Sequence, residues 1–220
     1  MVILAPAAIG LLLPAAAYGA SGGSFSTTLE PIAHNHQADG GSHVTGQADL
    51  RLSGRMLTVD LTASGLTPNE PHAMHIHGLL DRVNECPPAS ADVNTGDPVD
   101  EDSPQIAGTP DGLISLSEGD PFYGPIDVSF TTTGDTSAKS GLSLERFMSA
   151  DAEGNLSYHR TIAVSKNVAK SLTNLHIVIH GADLPSDADA SSLNSLFEAT
   201  LPVACGDIDS AVPPVATPGG

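Results

Sequence analysis

Two neighbouring segments set the pattern of the chain. Over 47–53, Ala48, Leu50 and Leu52 alternate with polar residues, and over 55–63 Leu57, Val59 and Leu61 do the same. Period-two alternation puts successive side chains on opposite faces, so both segments read as strands with one buried face. Ser53-Gly54 between them reads as a hairpin turn. A weaker alternation over 24–30 predicts a first strand. Further strands are expected at 71–77, 126–133, 156–164, 175–180 and 197–203, with one helical turn at 167–172. Residues 81–122 are turn-rich and acidic and read as one long loop, of a length that is usually functional or disordered in a compact domain. Residues 186–194 read as a polar loop, and 209–220, ending in a Pro/Gly-rich stretch, as a disordered tail. No internal repeat is present. The pattern predicts an all-β fold, an antiparallel Greek-key barrel or sandwich.

Composition narrows this picture. The chain has 220 residues, enough for one substantial core, and its scarce aromatics and 22 Gly and 17 Pro suit a β-rich domain with many turns. The formal net charge of −18, with only 8 Lys and Arg, argues against nucleic acid or anionic membrane surfaces as partners. Residues 1–18 form an apolar run broken by Pro6, Gly10 and Pro14, followed by small residues at Gly19, Ala20 and Ser21. Residues 1–21 therefore read as a secretory signal rather than a membrane anchor, leaving 22–208 as one domain. That places the protein outside the cell or in the cell envelope. Export is compatible with pairing of the two cysteines, Cys86 and Cys205, two buried free thiols being the alternative.

The chemistry concentrates in histidine. In 71–77, Met74 and Ile76 point one way, and His75 and His77 the other, about 7 Å apart along the strand. Two imidazoles so placed can share one metal ion. A second apolar strand ends in His180. This constellation suggests a His-ligated metal site, and three imidazoles suit Cu(I) in trigonal geometry or Cu(II) with added water. His176, four residues before His180, is either a further ligand or an ordinary strand histidine. His34, His36 and His43 lie in a polar stretch that reads as a solvated loop or as an auxiliary metal-capturing segment.

His72-x-x-His75-x-His77, then Cys86, then Ile177-Val178-Ile179-His180, then Val203-Ala204-Cys205-Gly206 resembles copper,zinc superoxide dismutase in order and nearly in spacing, over about residues 24–208. Gly65-Leu66 with 71–78 is also similar to the CHRD domain, whose fold is thought to be related. The resemblance implies a Greek-key barrel of the superoxide dismutase type, with copper held by His75, His77 and His180. It implies a packed structural role for His72 and a Cys86–Cys205 disulfide. It also implies superoxide as substrate. The chain departs from the family at two places. Asp92 stands where the family bridges copper and zinc with histidine, and no histidine occurs between His77 and His159. Pro202 stands where the family has an anion-guiding Arg. Zinc of the family type is therefore not expected, and the three functions that remain are dismutation at a copper-only site, extracellular copper binding without turnover, and a metal-free CHRD-like interaction module. Hydrolase chemistry has no support, since no nucleophile elbow is present.

The acidic loop carries one further pattern. The run from Asp111 through Ser115 to Glu118 resembles the second half of an EF-hand loop, with Asp92 and Asn94 upstream in place of its first half. Asp92, Asn94, Asp111, Ser115 and Glu118 are thus candidate calcium ligands.

Overall fold

A computed structural model describes residues 22–34, 42–81, 85–93, 112–183 and 196–211 of the chain. The expected signal segment, the 186–194 loop and residues 212–220 lie outside the described residues.

The alternating segments form strands in the expected order. β1 (Gly22–Pro31) pairs with β2 (Thr45–Ser53), and β2 with β3 (Met56–Ser64). The β2–β3 turn is tight because Gly54 adopts φ 62°, which an L side chain resists. β4 (Met74–Gly78), β5 (Ile126–Ser129), β6 (Leu156–Ala163), β7 (Leu175–His180) and β8 (Pro202–Asp207) complete the main sheet. Every pairing is antiparallel, in the order β5-β4-β7-β8-β1-β2-β3-β6. β1 serves both leaflets: residues 22–29 pair with β2, while Glu30 and Pro31 pair with β8.

The sheet curls into a half-barrel around one core. Ala48, Leu50, Leu57, Val59 and Leu61 from one leaflet meet Met74, Ile76, Ile177 and Ile179 from the other. Side chains draw the free edges together. Tyr158 Oη donates to the Thr131 carbonyl at 3.1 Å, Arg160 Nη1 donates to the same oxygen at 2.6 Å, and the Phe130 and Tyr158 rings stack 5.5 Å apart.

β4 and β7 are buried along their whole lengths, on both faces. A strand covered twice needs a second layer, and the long loop supplies it. Within the expected loop 81–122 lies a helix, α1 (Leu116–Tyr123). Tyr123, Ala91, Ile114 and Ile32 pack with Val178 and Cys205 on the side of the sheet away from the main core. Gly119 and Pro121 hid this helix, since both weaken helical interiors. Its start was nonetheless written in Ser115 and Glu118: Glu118 Oε2 accepts from the Ser115 amide at 2.9 Å, the carboxylate arm of a capping box.

Two boundaries move. The closing strand expected at 197–203 is instead α3 (Leu196–Thr200) followed by β8. Phe197 and Leu201 alternate as strand residues would, but they are also four apart, and both bury against Leu113 as helix neighbours do. The helical turn expected at 167–172 is α2 (Lys166–Ser171), capped by Ser165, whose Oγ accepts from the Val168 amide. The expected tail begins too early, because β9 (Asp209–Ser210) pairs with Phe25 and Ser26 of β1.

Cys86 and Cys205 form a disulfide, with Cα atoms 5.7 Å apart and 119 residues of sequence separation. It ties the covering loop to β8. Loop-closure entropy for that separation stabilises by about 5 kcal/mol. Reduction, or the paired substitution C86S/C205S, should lower the unfolding free energy by that order, read as a fall in the urea midpoint. An unchanged midpoint would show that the loop cover contributes no stability through this link.

Candidate metal centre

The β4–β7 register fixes the site. His75 lies opposite Val178 and His77 opposite His176, so His75, His77, His176 and Val178 share the face that the loop covers. His180 lies at the end of β7, where its amide donates to the Ala73 carbonyl at 2.8 Å. The rings of His75, His77 and His180 converge, with centroids 5.3, 5.3 and 5.6 Å apart. One nitrogen from each ring lies within 4.8 Å of the other two.

Each ring is latched from behind by a backbone carbonyl on a different segment. His75 Nε2 faces the Gly141 carbonyl at 3.1 Å, His77 Nδ1 the Gly124 carbonyl at 2.8 Å, and His180 Nδ1 the Thr200 carbonyl at 2.7 Å. A carbonyl only accepts, so the facing nitrogen carries the proton and the other ring nitrogen presents a lone pair. Those other nitrogens, His75 Nδ1, His77 Nε2 and His180 Nε2, are buried and have no hydrogen-bond partner. Three unsatisfied lone pairs in one buried cluster are expensive, at about 1–3 kcal/mol each. They are also the donor set and the outer-shell arrangement of a His-ligated metal. Nitrogens about 2.0 Å from one ion in a plane sit about 3.5 Å apart, so a small inward movement of the rings seats it.

The surroundings are apolar and closed. His75, His77 and His180 are 2–3% exposed, and Tyr123 is fully buried. The Tyr123 ring packs edge-on against His77 at 4.8 Å, and Phe147 against His75 at 5.4 Å. Among the described residues, no carboxylate joins the three-His group. Burial dominates the protonation of all three rings. It drives His77 from 6.5 to about 3, with His180 adding repulsion, and His180 to about 4. Burial, then His180 and His77, hold His75 well below its ordinary value. The triad is neutral at pH 7, the state a ligand requires.

The neighbouring histidines hold the fold. His72 is wholly buried, its ring spanning the carbonyl oxygens of His180 (3.0 Å from Nδ1) and Thr67 (3.1 Å from Nε2). His176 Nε2 donates to the Tyr123 carbonyl at 2.9 Å, and Asp207 lies 3.8 Å from its other nitrogen. His34, expected in a solvated loop, is buried: Nε2 donates to the Pro202 carbonyl at 2.6 Å and Nδ1 accepts from the Ile114 amide at 2.9 Å. His43 is exposed, and His36 lies outside the described residues. Arg146 and Arg160 are engaged in the 131–140 loop, Arg146 on the Thr133 and Asp135 carbonyls and Ser140 Oγ, Arg160 on Thr131 and Gly134.

Of the candidate calcium ligands, Asn94 and Asp111 lie outside the described residues. Of the other three, Asp92 and Glu118 accept from the chain's own donors, and Ser115 is one of those donors. Asp92 Oδ2 accepts from the Gly112 amide at 3.0 Å, and Glu118 accepts from the amides of Val93 and Ser115 and from Ser115 Oγ. Helix capping and loop anchoring account for these contacts.

Sequence reading missed Gly124, Gly141, Thr200, Tyr123 and Phe147. The first three act through backbone carbonyls, which carry no side-chain signature. A scan against protein-family models and a search of curated proteins both find no match to this chain.

The buried histidines make stability depend on pH with a definite sign. Folded values lie below 6.5, so between pH 6.5 and about 4 the unfolded chain binds more protons. Stability is complete above pH 6.5 and falls as acid is added, by up to about 1.4 kcal/mol per pH unit for each such group. Urea midpoints of chelator-treated protein should therefore hold from pH 8 to 7 and decline from 6.5 to 4, less steeply in H77Q. A flat profile across that lower window would contradict the neutral triad.

Proposed function

We propose that this protein is an exported copper-binding protein of the superoxide dismutase-like type, its ion held by His75 Nδ1, His77 Nε2 and His180 Nε2. The observation that carries the proposal is the convergence of three buried, unpartnered imidazole nitrogens whose opposite nitrogens are all fixed by carbonyls. Neutral imidazoles without carboxylate or thiolate suit copper better than calcium or magnesium. The disulfide supports an oxidising compartment, and no helix among the described residues is long and apolar enough to cross a membrane. The β-sheet order, with β1 passing between two leaflets, is compatible with the Greek-key barrel that the resemblance implies.

Copper bound there would supply a one-electron couple. This chain's residues supply the rest. Gly124, Gly141 and Thr200 orient the rings, while Tyr123 and Phe147 exclude water. Binding without rapid turnover is the reading we favour over dismutation. The triad is closed to solvent, and Arg146 and Arg160 are committed to loop carbonyls rather than free to draw in an anion.

A ligand that binds only the folded state stabilises it by mass action, about 4 kcal/mol at a thousand times its Kd. One copper per chain should survive dialysis and raise the melting temperature by about 10 °C for a domain of this size. H180Q should lose both the copper and the increment. Wild-type melting unaffected by copper, or H180Q retaining one equivalent, would refute the assignment.

A further inference from the structure

The wall over the triad is more specific than closure requires. Tyr123 ends α1, and three successive carbonyls at this point take donors from the sheet: Tyr123 from His176 Nε2, Gly124 from His77 Nδ1, and Pro125 from the Gly78 amide at 3.1 Å. The backbone beneath the Tyr123 ring is therefore pinned to β4 and β7. The ring lies edge-on to His77 and, 6.1 Å away, to His180. Its hydroxyl is turned away and donates to the Leu116 carbonyl at 3.3 Å. Neither His77 Nε2 nor His180 Nε2 bonds that hydroxyl, since both lack any partner. Gly119, one turn back on α1, makes room for the ring, because a Cβ there would collide with it.

Resting on the metal reading above, we propose that Tyr123 is a specificity-determining residue that denies the ion a fourth ligand and so makes the pocket selective for monovalent copper. Two physical terms act in the same direction. Cu(I) is satisfied by three imidazoles, whereas divalent copper needs added ligands such as water. An apolar pocket with a wholly neutral donor set also charges a Born cost that grows with the square of the ionic charge, so a doubly charged ion loses more there. Removing or displacing the ring admits water, which supplies both the missing ligand and solvation.

The test uses the full folded chain with its disulfide intact and compares wild type with Y123A and G119A. G119A leaves Tyr123 in place chemically but pushes its ring aside, and Ala favours the helix. Should Y123A fail to fold, G119A still carries the test. The readout is the Cu(II)/Cu(I) midpoint potential of copper-loaded protein, with Cu(I) affinity measured by competition with bicinchoninate. Both variants should bind Cu(II) at least tenfold better relative to Cu(I), a fall in potential of about 59 mV for one electron. Folded variants that bind one copper at the wild-type potential would overturn the role of Tyr123 and leave the metal site standing. Wild type that takes up no copper would overturn both.

Discussion

The second face of the β4–β7 pair is the constraint on which this molecule turns. Those strands are buried on both sides, and on the outer side they carry His75, His77 and His176, with His180 at the end of β7. Burying imidazoles is costly unless their polar atoms are satisfied. The chain meets half of that demand with backbone carbonyls, one each from α1's end, the loop after β5 and α3. Three separate segments are thereby fixed to one small patch of sheet. The other half, three inward lone pairs, is left open, and a coordinated ion is the natural means of satisfying it.

The cover and the site consequently form one structure. α1 begins at a capped turn in which Glu118 also holds the Val93 amide, so the helix and the 85–93 segment share an anchor. The disulfide joins that segment to β8, and His34 joins β8's first residue to Ile114 just before the helix. Tyr123 closes the arrangement over His77. Acidic residues here serve the backbone: Asp92 and Glu118 are acceptors for loop amides.

What could be read from the sequence followed period-two physics. Leu57, Val59 and Leu61 face inward because alternation leaves a strand no other choice, and the same rule put His75 and His77 together on the face away from Met74 and Ile76. His180 came from its place at the end of an apolar strand, and the pairing of Cys86 with Cys205 from a family resemblance. Less legible were elements whose signals conflict. Phe197 and Leu201 satisfy both strand and helix spacing, and only their shared contact with Leu113 decides. In α1, Gly119 and Pro121 weaken the helical signal, and Ser115 and Glu118, which read as candidate calcium ligands, are its capping box. His34 lies in a stretch of polar composition yet is buried, because two backbone groups satisfy both its nitrogens. The carbonyl latches that set each tautomer leave no trace in residue type.

As proposed, His75 Nδ1, His77 Nε2 and His180 Nε2, and nothing else from the chain, hold the ion. Copper-edge X-ray absorption on the loaded, disulfide-intact protein reads that ligand set. The expected result is a first shell of three nitrogens at about 2.0 Å with outer-shell scattering from three imidazoles. A shell containing sulfur, or one dominated by oxygen with fewer than three imidazoles, would contradict it.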